Sequence, residues 1–344
     1  MTEPATASAS GAEESRGGPA GEQPADALSA SAAGGTPGAG PLVPDAAVDR
    51  SLLTVIVNPH AGGGRAARVL EDVRTALARW AGDVRVETTR SLDHARDLAA
   101  AASAEGRVAV ALGGDGLVGQ VAGAVARSGG VLAVLPGGRG NDFARGLGIP
   151  RDPALAATAL ATAVERRVDL PEAGGRSFVG IASVGFDSDV QVIANRTRWL
   201  SGQQVYTYAA LRALAAWRPA RFTVTVDDSP PFEHIGWTVG AANAAYYGGG
   251  MQLVPGAEID DGKLDVILLS RTGRLKFLML FPRVFSGRHI DLPYVTVRRA
   301  RRLVVDADRP FQLYADGDPI ADLPAEITVR PGALRLLVPP ARPA

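Results

Sequence analysis

The chain has 344 residues, of which 46% are hydrophobic and 21% charged, a composition that can bury a large core and fits one or two soluble domains. Its 36 basic residues balance its 36 acidic ones, so the whole molecule lacks the positive field typical of nucleic-acid-binding proteins, and we expect no nucleic-acid partner. Cysteine is absent, which excludes disulfide scaffolds, thiolate zinc sites and cysteine nucleophiles and suits a cytoplasmic location.

The first segment has the composition of a disordered tail. Residues 1–50 contain 32 Ala, Gly, Ser or Pro residues without apolar periodicity, so we predict disorder over residues 1–48. The segment lacks the basic and apolar regions of a secretory signal. The longest later apolar run, residues 277–282, is far shorter than the ~20 residues that span a bilayer, so no transmembrane segment is expected.

Residues 49–168 are predicted to form a doubly wound α/β domain, because short β-rich runs alternate there with helical periodicity. The buried strands are expected at residues 52–57, 84–88, 108–112 and 131–135, with helices at 65–80, 92–104 and 117–127. Another helix is expected at 153–165.

Residues 169–339 are predicted to form a β-rich, sandwich-like domain, and residues 340–344 a short tail. One helix, at residues 203–217, interrupts the strands. The strands are expected at 177–184, 221–226, 235–242, 264–269, 294–297, 303–306, 311–315, 326–329 and 334–338.

Three strands of the first domain end in glycine-rich turns, at residues 58–65, 113–116 and 136–142. The carboxyl ends of parallel strands meet at one edge of a sheet, so the turns should converge on one crevice. Glycine lets backbone N–H groups approach phosphate oxygens, and the following helix N-termini add partial positive charge. The sequence therefore predicts a polyphosphate site.

The kind of polyphosphate stays open at this point. The pattern Gly62-x-Gly64-x-x-Ala67, with Glu87 on the next strand, satisfies the dinucleotide fingerprint, so an NAD-binding oxidoreductase is one alternative. Asp115 lies between glycines, where a carboxylate repels phosphate unless Mg²⁺ or a proton intervenes. A Walker A loop is absent.

The motifs together resemble the diacylglycerol kinase-type lipid kinases, a group with bacterial diacylglycerol kinases, sphingosine kinases and, as distant relatives, NAD kinases. The resemblance covers residues 52–338. It rests on Asn58-Pro59 with the following glycines and on the segments 113–116, 136–144, 247–257, 260–265 and 316–319.

The resemblance implies an enzyme that transfers the γ-phosphate of ATP to a lipid hydroxyl, with diacylglycerol as the first choice of acceptor. Asp115 and Asp142 match an Asp–water–Mg²⁺ network, with Asp187 as a further carboxylate, and Asp316 matches the general base. Asp261 matches a ligand of a second, structural Mg²⁺, completed by backbone carbonyls near Glu258 and Lys263. The implied nucleotide contacts are Asn58, Gly64, Arg65, Thr88, Gly113, Gly114, Asp115, Gly116, Gly138, Arg139 and Asn141.

The chain departs from the family pattern at three places. Leu117 replaces a Thr, Arg139-Gly140 replaces Gly-Thr, and Asp318 replaces a Glu. An NAD kinase-like phosphotransferase and a nucleotide- or lipid-binding module with decayed catalysis therefore remain alternatives.

Two surface features are compatible with peripheral membrane contact at the inner face. The apolar positions of the helix at 203–217, together with Trp199, could line an acyl-chain pocket, rest on a membrane or form core. The basic residues of segment 283–302 predict attraction to an anionic leaflet or a solvated strand face. A homodimer is left open.

Overall fold

The computed structural model describes residues 45, 47–197, 199–200 and 203–340. Both predicted tails, 1–48 and 340–344, lie outside the described residues except for residues 45, 47, 48 and 340. None of the helices in the described ranges is long and apolar enough to cross a membrane.

The N-terminal half is α/β, as predicted. In chain order it contains β1 (Asp49–Val57), α1 (Ala61–Leu77), β2 (Asp83–Thr88), α2 (Leu92–Ala104), β3 (Arg107–Gly113), α3 (Asp115–Arg127), β4 (Val131–Pro136), α4 (Asp142–Gly146) and α5 (Pro153–Ala159). The strands pair in parallel in the order β2-β1-β3-β4. Both faces of β3 and β4 are buried, which explains their uninterrupted apolar sequences.

The C-terminal half is β-rich, as predicted. It contains β5 (Val164–Ala173), β6 (Arg176–Ser177), β7 (Ile181–Gly185), α6 (Phe186–Arg196), α7 (Gln203–Ala216), β8 (Ala220–Val226), β9 (Phe232–Ala242), β10 (Tyr246–Tyr247), β11 (Met251–Gln252), β12 (Leu264–Ser270), α8 (Arg274–Phe285), β13 (Val295–Ala300), β14 (Arg302–Ala307), β15 (Gln312–Ala315), β16 (Asp318–Asp322) and β17 (Ala325–Val338).

The long strand β17 joins the two halves. It pairs in parallel with β4 and antiparallel with β5, so one sheet continues from the α/β half into the β-rich half. This pairing corrects the helix predicted over 153–165. The helix ends at Ala159, and Val164 begins a strand because it pairs with Val338, far away in sequence.

Helices α6 and α8 were not predicted, and both belong to a helical layer on the β-rich half. The β-branched residues of α6 and Pro282 within α8 weaken the helical signal. Each helix nevertheless buries one face in a shared cluster around Trp237, where Phe277 stacks on the Trp237 ring with a centroid distance of 4.1 Å. Burial of one face against the rest of the protein therefore stabilises both helices despite their weak local signal.

Candidate active site

A cleft of about 410 Å³ lies where the strand ends of the α/β half face the β-rich half. Glycine turns, carboxylates and tyrosines form most of its wall. The lining includes Asn58, Gly62, Gly63, Gly114, Asp115, Gly116, Leu117, Gly138, Arg139, Asp142, Gly180, Tyr206, Tyr247, Asp316 and Asp318. The three predicted glycine turns thus meet in one crevice.

The first turn has a backbone conformation that glycine alone tolerates at low cost. Gly62, Gly63 and Gly64 have φ angles of 60°, 70° and 85°, where a side chain costs ~1–2 kcal/mol per residue. A Cβ on Gly62 would lie 2.6 Å from the Gly137 carbonyl oxygen. Asn58 lines the cleft, and its Oδ1 accepts a hydrogen bond from the backbone N–H of His60 in the same turn at 3.1 Å. Gly64 directly follows Gly63 in the chain but is not itself part of the cleft lining.

Five predicted nucleotide contacts are absent from the cleft lining: Gly64, Arg65, Thr88, Gly113 and Asn141. Gly64, Gly113 and Asn141 are chain neighbours of lining residues, whereas Arg65 and Thr88 have other surroundings. The Arg65 guanidinium donates a hydrogen bond to the Arg151 carbonyl oxygen at 3.1 Å, and Thr88 ends β2 with an exposed side chain. Leu92 lines the cleft on this side instead. Among the described residues of the lining, Arg139 is the only arginine or lysine.

The second and third turns pack backbone against backbone. The N–H groups of Gly137 and Gly138 both donate to the Gly113 carbonyl oxygen, at 2.8 and 3.0 Å. A Cβ on Gly138 would collide with the Gly114 Cα. Helix α3 follows the second turn directly, and its first residues lie in the cleft wall. Its N-terminal N–H groups and partial positive charge are therefore available to an anion.

Asn141 shapes the third turn from outside the lining. Its φ of 52° is left-handed. Its Oδ1 accepts a hydrogen bond from the Gly138 N–H at 2.7 Å, and its Nδ2 donates to the Gly138 carbonyl oxygen at 3.0 Å. These bonds hold the turn that presents Arg139.

Asp115 and Asp142 connect three backbone segments. The Asp115 carboxylate accepts hydrogen bonds from the N–H groups of Asp142 and Phe143 at 3.0 and 3.1 Å. The Asp142 Oδ2 accepts from the Gly249 N–H at 2.7 Å, which ties the α/β half to the β-rich half. The buried Asp142 Oδ1 has no hydrogen-bond partner and lies 3.6 Å from the Arg145 Nε.

Asp316 enters the same cleft from the β-rich half. Its backbone is left-handed, with φ 51°, and its two carboxylate oxygens accept hydrogen bonds from the N–H groups of Val179 and Gly180 at 2.8 and 2.9 Å. These donors are free for the carboxylate because they lie in the break between β6 and β7, which the sequence predicted as one strand. A Cβ on Gly119 of α3 would lie 3.1 Å from Asp316 Oδ2, so α3 approaches closely.

The carboxylates of the cleft hold their protons unusually tightly. Burial and the nearby Asp115 charge raise the pKa of Asp142 to about 6 and that of Asp316 to about 8. Burial also raises the pKa of Asp115 and of Asp318. The cleft therefore favours an additional positive charge beside these groups.

The residues of the cleft would suit a divalent metal ion that keeps part of its water shell. Among the described residues, no three His, Cys, Asp or Glu side chains are grouped closely enough to hold a metal. Mg²⁺ commonly keeps several waters and binds one or two carboxylates plus substrate phosphates. The unpartnered Asp142 Oδ1 is suited to such an ion or to its water.

Two family models together match most of the chain. The diacylglycerol kinase catalytic domain matches residues 52–173, and the YegS C-terminal NAD kinase beta sandwich-like domain matches residues 180–338. The "Diacylglycerol kinase" of Mycobacterium tuberculosis is 36% identical over 295 residues, covering 83% of this chain and 95% of the relative. The chain belongs to the diacylglycerol kinase and YegS-like lipid kinase family.

Other members of the kinase family agree with this placement. The "Probable lipid kinase YegS-like" of Pseudomonas aeruginosa is 35% identical over 288 residues, covering 79% of this chain and 91% of the relative. A solved diacylglycerol kinase of Bacillus anthracis shares the fold, with a TM-score of 0.65 and 22% identity over 84% of this chain and 97% of that one. The resemblance found in the motifs and the expected fold class are confirmed.

Four predicted metal-site residues of this kinase lie outside the cleft lining. Asp187 lines an adjoining apolar cavity, where burial raises its pKa to about 6. The Asp261 Oδ1 accepts a hydrogen bond from the Lys263 N–H at 2.9 Å, and its Oδ2 lies 3.4 Å from an Arg299 nitrogen. Glu258 lines a different depression. The second Mg²⁺ site therefore stays a prediction, and Arg299 already supplies positive charge there.

Sequence reasoning did not assign Tyr206 or Tyr247 to the cleft. Both line it, and the Gln191 Nε2 donates a hydrogen bond to the Tyr247 hydroxyl at 3.0 Å. Burial and the Asp142 charge raise the pKa of Tyr206 to about 12, so its hydroxyl keeps its proton. The only sequence signal for these tyrosines was the spacing of aromatic residues. That spacing does not distinguish a tyrosine in the hydrophobic core from one that lines a cleft.

We predict that Asp115→Ala loosens the start of α4. The N–H groups of Asp142 and Phe143 lose their acceptor, so their amide hydrogen exchange should accelerate by roughly tenfold or more. Mass-spectrometric or NMR hydrogen exchange measures the effect. Asp318→Ala is the matched control, because no hydrogen bond in the described structure reaches its carboxylate; equal acceleration in both variants would contradict the anchoring role.

Proposed function

We propose that this protein transfers the γ-phosphate of ATP to a lipid hydroxyl, with diacylglycerol as the preferred acceptor and phosphatidic acid as the product. One observation carries the proposal. The cleft with its glycine turns and Asp316 shares Tyr206 and Tyr247 with a cavity whose other lining is mostly apolar. A phosphate-binding surface thus adjoins an apolar one.

The nucleotide phosphates would contact the glycine turns and the first turn of α3, with Arg139 adding a cation. Asp142 and Asp115 would hold Mg²⁺ through water and phosphate oxygens, and the ion would neutralise charge that develops during transfer. The Asp115 carboxylate also fixes the start of α4. These residues therefore position the donor.

Asp316 is suited to act as the general base. Its raised pKa gives its ionised form the basicity to accept a proton from an alcohol, and two backbone N–H groups fix its orientation. In the transfer, the bond between the γ-phosphorus and the bridging oxygen of ADP breaks. A bond from the lipid oxygen to that phosphorus forms, and the hydroxyl proton moves to Asp316.

The apolar cavity supports a lipid acceptor over NAD. It is narrow, about 60 Å³, and lies between the sheet and helices α6, α7 and α8. Its lining includes Phe186, Val190, Met251, Ile267, Phe277, Leu280 and Val284. Phe277 also borders a groove of about 370 Å³ between α7 and α8, so a long acyl chain would extend past Phe277 into that groove.

The oxidoreductase alternative finds less support. Its fingerprint requires Glu87 to contact a ribose, but Glu87 is absent from the cleft lining, and the lining carries several carboxylates that suit phosphoryl transfer.

The test is incubation of the full chain with ATP, Mg²⁺ and diacylglycerol, other lipid alcohols or NAD in mixed micelles. We expect labelled phosphatidic acid. Asp316→Asn should lower kcat by roughly 10²–10⁴-fold, whereas Asp322→Asn, at an exposed acid on neighbouring β16, should leave kcat within about twofold. No phosphorylated lipid, phosphorylation of NAD alone, or full activity of Asp316→Asn would refute the proposal.

The pH profile should show the ionisation of Asp316. Because the base acts when deprotonated, kcat/KM for the lipid should rise with pH through about 8. The Asp318 charge contributes to raising the pKa of Asp316, so Asp318→Asn should shift the rising limb to lower pH. Asp322→Asn is the control; a limb that stays in place or moves upward in Asp318→Asn would contradict this account.

Filling the apolar cavity should impair the acceptor and spare the nucleotide. Val190→Phe places a ring in the cavity, so we expect KM for diacylglycerol to rise roughly tenfold with ATP affinity unchanged. Val192→Phe, on the same helix but lining a different groove, is the matched control. Equal kinetics of the two variants, each checked for an unchanged melting temperature, would argue against an acyl-chain role for the cavity.

A further inference from the structure

Exposed large apolar side chains are concentrated on and beside helices α7 and α8. Of the ten that the described part of the chain shows, five lie here, and we call them with the intervening groove the α7–α8 face. They are Trp199 (71% exposed), Leu211 (51%), Leu275 (70%), Leu278 (39%) and Met279 (55%). Such a group of exposed apolar residues marks an interaction surface.

The groove in this face leads toward the catalytic cleft. Leu211 and Leu214 of α7 face Leu278 and Pro282 of α8 across it. Phe277 borders both the groove and the apolar cavity, and that cavity shares Tyr206 and Tyr247 with the cleft. The groove is therefore connected, through shared lining residues, to the cleft that contains Asp316.

The charged residues of the two segments that form this face are all basic. Segments 203–218 and 271–290 contain no Asp or Glu and carry seven Arg or Lys residues, among them the four residues Arg212, Arg274, Lys276 and Arg283. None of these four side chains forms an ion pair with an acidic residue of the described ranges. Exposed apolar residues flanked by unpaired basic ones are complementary to anionic lipid headgroups over an acyl layer.

We propose that the α7–α8 face docks on an anionic phospholipid bilayer and that the lipid acceptor enters through its groove. The proposal rests on the proposed function for the identity of the acceptor. A bilayer is the occupant because it supplies both an apolar layer for Leu275 and Met279 and negative charge for Lys276 and Arg283. Trp199, whose ring lies edge-on to Tyr208, is a residue type enriched at membrane interfaces.

The sequence analysis considered the basic residues of segment 283–302 for this role. Arg283 belongs to the α7–α8 face, and the remaining arginines on β13 and β14 are less suited to the role. Arg299 lies near Asp261 and Asp265, and Arg302 pairs with Glu326 at 2.6 Å. The guanidinium of Arg298 lies over the ring of Phe232. The charges of Arg299 and Arg302 are therefore compensated within the protein, while Arg298 and Arg301 lie outside the α7–α8 face. This part of the segment provides a matched control with the same change in charge.

The experiment is sedimentation of the full chain with vesicles of phosphatidylcholine containing about one third phosphatidylglycerol. We expect wild type to bind, and both Leu275→Asp/Met279→Asp and Lys276→Glu/Arg283→Glu to bind about tenfold more weakly. Arg298→Glu/Arg301→Glu should bind within about twofold of wild type. The high exposure of the changed apolar residues keeps the core intact, which an unchanged melting temperature verifies.

Kinase assays separate a failure of docking from a failure of the proposed function. With diacylglycerol in these vesicles, the docking variants should lose about tenfold in rate, while with a monomeric short-chain diacylglycerol they should match wild type within about threefold. If wild type binds vesicles and the docking variants do not, but wild type shows no kinase activity, the proposed function is refuted and the docking proposal stands. Wild-type binding by the docking variants, or a dimer in sedimentation velocity that Leu275→Asp/Met279→Asp dissociates, would overturn the docking proposal.

Discussion

Carboxylates that accept backbone N–H groups hold the cleft of this kinase together. Asp115 binds the start of α4, Asp142 binds the Gly249 loop of the other half, and Asp316 binds the break between β6 and β7. Each bond joins segments that are remote in sequence. The same side chains that would perform the chemistry therefore also fix the geometry of the two halves.

The cost of this arrangement is electrostatic. Several acidic groups share a partly enclosed cleft, so the ionised form of each is disfavoured by desolvation and by its neighbours, and the pKa of Asp316 rises to about 8. A cation beside Asp142 would relieve this repulsion, and a base of raised pKa suits an alcohol acceptor. Structural anchoring and the proposed catalysis thus use the same perturbed groups.

The layer of α6, α7 and α8 gives the molecule its apolar side. Its inner face surrounds Trp237 and encloses the narrow cavity, and its outer face carries exposed apolar and basic residues. Phe277 belongs to both the cavity and the groove. A single helical layer therefore adjoins the cleft of the glycine turns on one side and would contact lipid on the other.

The α/β half, the β-rich half and the three glycine turns could be predicted from the amino-acid sequence, because buried parallel strands and left-handed glycines leave local patterns. The sequence also predicted that Asp115, Asp142 and Asp316 share a site. The three-dimensional fold was needed to show that Val164 starts a strand and that Val179 and Gly180 offer free N–H groups. It also showed that the Arg65 side chain donates a hydrogen bond to the Arg151 carbonyl oxygen outside the cleft lining. Those outcomes depend on partners far away along the chain, which no local pattern encodes.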